Sequence, residues 1–224
     1  MRPDPVQGGV HVGNRARPSA IVIRIVIDLP ADGRPGTYFP DLGSVDQRPR
    51  WTLVTVAAHE TFPGHALQAR RQAVANPHPL QVRYAAGYGE GWSVYAESLV
   101  DRMGLLSPVE QLGFIQSILF RFARVTADIG IHLHRWSRER AIDYLRETVG
   151  FELFFPFDVE VDRYCAEPAG FAGDALSVLT LMRLGAGRSG AALRRFHDAV
   201  LNSGPLGVEA LEVVARNPLT LSRG

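Results

Sequence analysis

Two short segments carry residues whose chemistry goes beyond packing. In VAAHETFPGHALQ, His59 and Glu60 are adjacent and His65 follows, and in GYGEGWSVYAESL, Glu90 and Glu97 stand seven residues apart. Neutral imidazole nitrogens and carboxylate oxygens are the donors that zinc takes, and a glutamate beside them can serve as general base toward a metal-activated water. In the usual peptidase spacing two histidines four apart lie about 40° from each other on one helix face. Here the second histidine comes six residues after the first, which on a regular helix turns it about 120° away. An unbroken helix cannot aim both at one ion. Immediately before His65 stand Pro63 and Gly64. Proline has no N–H and clashes with the carbonyl four residues back, here that of His59 itself. The sequence therefore predicts a bulge or break at this point, which absorbs the two additional residues and returns His65 to the side of His59. The third ligand is expected from the next helix. Glu90 is favoured because the glycine after it admits a neighbouring backbone, while Glu97, two turns on along the same face, is expected to support a ligand from behind.

These residues need a scaffold, and the composition allows one. The chain has 224 residues, 46% of them hydrophobic and 21% charged, enough for one large domain with a substantial core. Lys and Arg total 24 against 23 Asp and Glu, a balance that argues against nucleic acid and against an anionic membrane surface as partners. Cys165 is the single cysteine, which excludes an internal disulfide and a Cys-based zinc finger. The early apolar run, Ala20 to Leu29, is interrupted by Arg24 and far too short to span a membrane. No signal peptide is legible, so a cytoplasmic location is expected.

Residues 1–19 are rich in Pro, Gly and Arg without an apolar period and are expected to form a poorly ordered tail, with residues 20–224 forming the domain. Ile21 to Leu29 reads as a strand, and after the turn formers PADGRPG a second extended piece is expected at Tyr38 and Phe39. From Trp51 onward the period becomes helical, with helices expected over 51–73, 80–103, 108–136, 138–148, 152–165, 170–184, 189–202 and 206–215. The clearest start is Ser107-Pro108-Val109-Glu110, a capping box with proline in the first turn. The fold class is thus mainly α with a short N-terminal β element. Trp92, Tyr95 and Leu99 fall at helical spacings and are assigned to the core, and His197 is read as structural.

Taken together, HETFPGHALQ from His59 and EGWSVYAE from Glu90 resemble the bacterial family of unknown function numbered 885, which is grouped with gluzincin-like zinc peptidases. RPGTYFPDL, DIGIHLHRWSRERAIDYL, VDRYCAEPAG and FHDAVLNSGPLGVEAL are similar to further family segments, so the resemblance covers roughly residues 30–213. It implies a multi-helix metallopeptidase catalytic region that binds one Zn2+ through His59, His65 and Glu90 and acts on a peptide substrate. It also implies that a helical N-terminal half of the family is not included in this chain, so that a further domain or separate chain completes the cleft. One departure is Asp174, where the family has a tyrosine.

The roles follow from these readings. Glu60 is expected to take the proton of the attacking water and return it to the leaving amine. Arg124, Asp128 and His132 recur every four residues, and the resemblance to the family's DxGxH favours His132 as an oxyanion donor oriented by Asp128 over a surface ladder of charge pairs. Arg163 and Tyr164 occupy the family's RY pair, which implies a guanidinium for a substrate carboxylate and a phenol for the oxyanion, with a core tyrosine beside a salt-bridged arginine as the competing reading. The rival reading is a non-catalytic fragment that binds zinc without turnover.

Overall fold

The structure, a computed structural model, describes residues 11–12, 26–28, 37–39, 48–75, 77–85, 87–152 and 155–216. It is mainly helical, as expected. Strands β1 (His11–Val12), β2 (Val26–Asp28) and β3 (Thr37–Phe39) form a small sheet in the order β1-β3-β2, with β3 parallel to β1 and antiparallel to β2. The expected strand over 21–29 and the extended Tyr38–Phe39 are thus seen in part, and the remainder of that strand lies outside the described residues. So does the expected tail, apart from β1.

A 3-10 turn at Arg50–Thr52 leads into α1 (Leu53–Glu60), followed by α2 (His65–Ala75), α3 (Pro79–Tyr84), α4 (Tyr88–Arg102), α5 (Pro108–His132), α6 (Arg138–Val149), α7 (Phe157–Ala166), α8 (Gly170–Gly185), α9 (Gly190–Asn202) and α10 (Val208–Arg216). Helix α5 starts where the capping box put it: Ser107 Oγ accepts from the Glu110 N–H and the Glu110 carboxylate accepts from the Ser107 N–H.

Four expected boundaries move, each for a local reason. The 51–73 segment is two helices, broken before His65. The 80–103 segment also divides, because Gly87 takes φ +79° and passes so close to α8 that a Cβ there would sit 2.1 Å from the Gly173 carbonyl carbon. Helix α5 stops at His132 rather than 136, since Trp136 folds back over it and its indole fills the space that a Cβ on Gly130 would need. Helix α7 begins at Phe157 instead of 152, with the free Phe157 N–H capped by Glu152 Oε1 at 3.0 Å.

Two cores result. Trp92, Tyr95 and Leu99 on α4 pack with Leu181, Phe196 and Leu211 of α8, α9 and α10. Phe120 and Ala127 on α5 pack with Leu145 of α6, Val161 and Tyr164 of α7, and Phe171 of α8. Helices α4 and α8 cross at close range: a Cβ on Gly91 would lie 2.3 Å from Ser177 Cβ, so the residue after Glu90 must be glycine. This crossing fixes the height at which Glu90 emerges.

His197 belongs to the first core, with its Nε2 2.9 Å from the Tyr95 hydroxyl and its ring against Trp92 and Phe196. Burial pushes its imidazolium down to about 4, against the pull of Asp198. Above the unfolded-state value of about 6.5 both states are neutral here. Between 6.5 and about 4 the unfolded chain binds a proton that the native one refuses, so stability falls as pH falls, and the loss levels off below 4. Urea unfolding of wild type and His197→Gln at pH 7 and 4.5 checks this: the variant is expected to lose less stability on acidification.

Candidate metal centre

Helix α1 ends at Glu60, where the Thr61 N–H still reaches the Ala57 carbonyl, and Pro63 then stops any continuation. The chain turns through Thr61–Gly64 and restarts as α2 at His65. Gly64 makes the turn possible, since a Cβ on it would lie 1.9 Å from the His59 carbonyl oxygen. Trp92 on α4 holds the turn from the other side, donating its indole N–H to the Pro63 carbonyl at 2.8 Å. The expected break is therefore present, and it does what the spacing required: the His59 and His65 rings meet edge to face with centroids 4.8 Å apart.

Glu90 completes the group. Its two oxygens lie 3.4 Å from His59 Nε2 and 3.4 Å from His65 Nε2, and one donor atom from each of the three residues falls within 4.8 Å of the others. Donors about 2.0–2.1 Å from a tetrahedral zinc ion stand about 3.3 Å apart; each contact has about that length, Oε2 facing His59 and Oε1 facing His65. Among the described residues this is the group that could hold a metal. On the far side of His59, Nδ1 is 2.7 Å from Glu97 Oε1, a buried contact that fixes the ring and leaves Nε2 facing the other ligands. Glu60 is also buried, with Oε1 4.0 Å from His59 Nε2.

The electrostatics separate the carboxylates. Burial presses the Glu90 carboxyl up, but the Arg121 guanidinium and the contacts with His59 and His65 hold it well below the usual range. Burial, opposed by His59 and His65 and aided by the charge of Glu90, lifts Glu60 above that range. Burial and the Arg121 charge push the His59 imidazolium down, yet Glu90 and Glu97 outweigh them and hold it at about 9. A carboxylate of raised pKa beside a ligand set is suited to taking up and returning a proton.

Sequence reasoning passed over three residues of this region. Arg121, on α5, donates from Nη1 to Glu90 Oε2 at 2.5 Å and places Nη2 3.2 Å from His59 Nε2. Burial lowers its guanidinium, and Glu90, Glu97 and Asp174 more than offset that. Asp174 on α8, noted in the sequence only as a departure from the family, is lifted by burial and by Glu90 to about 6. Tyr38 of β3 is buried, and burial together with the Glu60 charge raises its phenol to about 12.

The other expected site residues gather elsewhere. Glu160, fully buried, accepts from Arg163 Nη1 at 2.6 Å and from the Tyr164 hydroxyl at 2.9 Å, and Arg124 Nε lies 3.4 Å from it. Arg124 also stacks 3.8 Å over the Phe171 ring. Tyr164 is thus spent on Glu160, and burial with that carboxylate drives its phenol far above its ordinary value. His132 Nε2 lies 2.9 Å from the Tyr164 carbonyl oxygen and 3.5 Å from Asp128, whose Oδ1 accepts from the Ala169 N–H that begins α8. Eleven residues along α5 separate it from Arg121, about 16 Å of helical rise. The geometry joins Arg124, Asp128, His132, Arg163 and Tyr164 to the α5–α7–α8 packing and brings none of them against the ligand triad.

The family follows from the match of residues 12–214 to the model described as "Bacterial protein of unknown function (DUF885)": the chain belongs to that family. It is similar to a solved structure described as a putative lipoprotein from Colwellia psychrerythraea, with 30% identity and a TM-score of 0.79 over 94% of this chain and 38% of that one. A second, described as a putative lipoprotein of unknown function from Shewanella oneidensis, shares the fold at 18% identity and a TM-score of 0.74, over 97% of this chain and 42% of that one. No curated protein matches the chain. The chain therefore spans about two fifths of each solved relative. Both descriptions as lipoproteins overturn the cytoplasmic placement expected from the sequence, which had rested on the lack of a legible leader. Among the described residues, no helix is long and apolar enough to cross a membrane.

The Glu160 cluster generates a stability test. Glu160→Gln keeps the volume but leaves the buried Arg124 without its counter-charge, and breaking a buried pair from one side costs about 3–5 kcal/mol. Tyr164→Phe, which removes one hydrogen bond, is expected to cost about 1 kcal/mol. Urea denaturation measures both. If Glu160→Gln is no worse than Tyr164→Phe, the carboxylate is not the hub of this packing.

Proposed function

We propose that this chain is the metal-binding catalytic region of a gluzincin-like hydrolase that cleaves peptide or related amide bonds, with His59, His65 and Glu90 holding one Zn2+ and Glu60 as general base. The observation that carries the reading is the convergence of His59, His65 and Glu90 from three helices, with one donor atom of each within 4.8 Å of the others. Zinc, when bound in such a set, supplies a Lewis acid and lowers the pKa of its water toward about 7. The chain's own residues do the rest. Glu97 holds His59 with Nε2 turned toward the ion and buries the Nδ1 proton. Glu60, already lifted above the usual carboxylate range, accepts the water proton and returns it to the leaving amine. The open side of the site is that of Glu90, whose side chain is 40% exposed against 5% for His59, and substrate approaches from there. Because the solved relatives are described as lipoproteins, we place the substrate outside the cytoplasm.

A second reading has its own support. The chain covers about two fifths of its solved relatives, so a region that binds zinc and needs a further domain or chain for turnover fits the same geometry. Elemental analysis and a peptide-library assay separate the two. Wild type is expected to hold about one zinc per chain, Glu90→Ala to lose it, and Glu60→Gln to keep it while abolishing hydrolysis. Zinc without cleavage in wild type would favour the second reading, and a folded wild type that takes up no zinc would end both.

A further inference from the structure

Arg121 stands in an unusual position for a cation near a metal-binding group. Its Nη1 donates to Glu90 Oε2, and its Nη2 lies 3.2 Å from His59 Nε2. These are the two atoms whose 3.4 Å separation forms one edge of the candidate coordination shell. A guanidinium that donates to Glu90 Oε2 and a divalent ion coordinated by the same oxygen cannot occupy it together.

We propose that Arg121 is the resident cation of the metal-free site: it keeps Glu90 drawn against His59, gives up that contact when a divalent ion enters, and so sets the metal affinity of the chain. The proposal rests on the metal reading given above. Arg121 acts here as a positioning and competing residue rather than a catalytic one.

The surroundings set the cost of displacing the guanidinium. Its side chain is only 11% exposed, so leaving Glu90 breaks a contact between buried opposite charges, and that cost weighs against the entering ion. Glu97 and Asp174 also act on Arg121 and keep its charge favoured in this region. The alternative is a static pair in which Arg121 only orients Glu90, and it predicts the opposite sign: removing the arginine would weaken metal binding.

Zinc affinity measured by competition with a chromogenic chelator, on the full chain at one pH, separates the two. Arg121→Gln is expected to bind zinc about tenfold or more tightly than wild type, since the ion no longer displaces a charge-assisted hydrogen bond. Without metal the same variant is expected to melt lower than wild type, and zinc is expected to raise its melting temperature by more. Arg121→Lys, which keeps a competing charge, is expected to stay nearer wild type and guards against a fold defect in the glutamine variant. Equal or weaker zinc binding by Arg121→Gln, while Glu90→Ala loses the metal, would overturn the proposal and leave the metal reading intact. Absence of zinc binding in both wild type and Arg121→Gln would remove the metal reading and this proposal with it.

Discussion

A helix that stops and restarts within four residues governs this site. Two histidines six apart cannot share an ion on a continuous helix, and a loop long enough to bring them together freely would pay for their alignment in conformational entropy. The Thr61–Gly64 turn avoids both problems because it is clamped from two sides. Within the turn, Gly64 packs directly on the His59 carbonyl, at a distance no side chain could share. Across from it, the Trp92 indole binds the Pro63 carbonyl. Trp92 is itself almost wholly buried in the α4–α8–α9 core, so the turn inherits the rigidity of the largest packed region. Glu90 and Trp92 are two residues apart on α4, and the same helix therefore supplies a ligand and the clamp that aligns the other two.

Much of this arrangement was legible in the sequence because it is local. The capping box of α5, the break at Pro63, the glycine after Glu90 and the shared face of Glu90 and Glu97 each follow from residues a few positions apart or from one helical period. What was not legible depends on which helix faces which. Arg121 and Arg124 are three apart in a helix of otherwise apolar character, and that spacing alone could have marked a buried polar face. The sequence offered no sign that Arg121 would meet Glu90 while Arg124 met Glu160, since that is decided by the tilt of α5 between α4 and α7. Glu160, in FDVEVD, drew no reading from the sequence. His132 shares its period with Asp128 and Arg124, and the structure sets it against the Tyr164 carbonyl of α7, a contact between helices that the period does not announce.

The two buried polar clusters differ in a way that bears on function. Around Glu160 one carboxylate is met by Arg124, Arg163 and the Tyr164 hydroxyl, so its charge is answered within the fold and nothing is left over for a ligand. Around His59 the balance runs the other way. Glu60, Glu90, Glu97 and Asp174 all act there on the guanidinium of Arg121. The response is visible in each group: Glu60 and Asp174 are lifted toward neutrality, Glu90 is held ionised by its cationic contacts, and His59 is held toward its charged form. A site that must recruit protons and a guanidinium to offset its own carboxylates is one in which a divalent cation relieves an existing imbalance. The same excess of carboxylate would not be tolerated in the Glu160 cluster, where packing is the only return. That carboxylate excess beside two converging imidazoles is what sets this end of the fold apart from the Glu160 cluster.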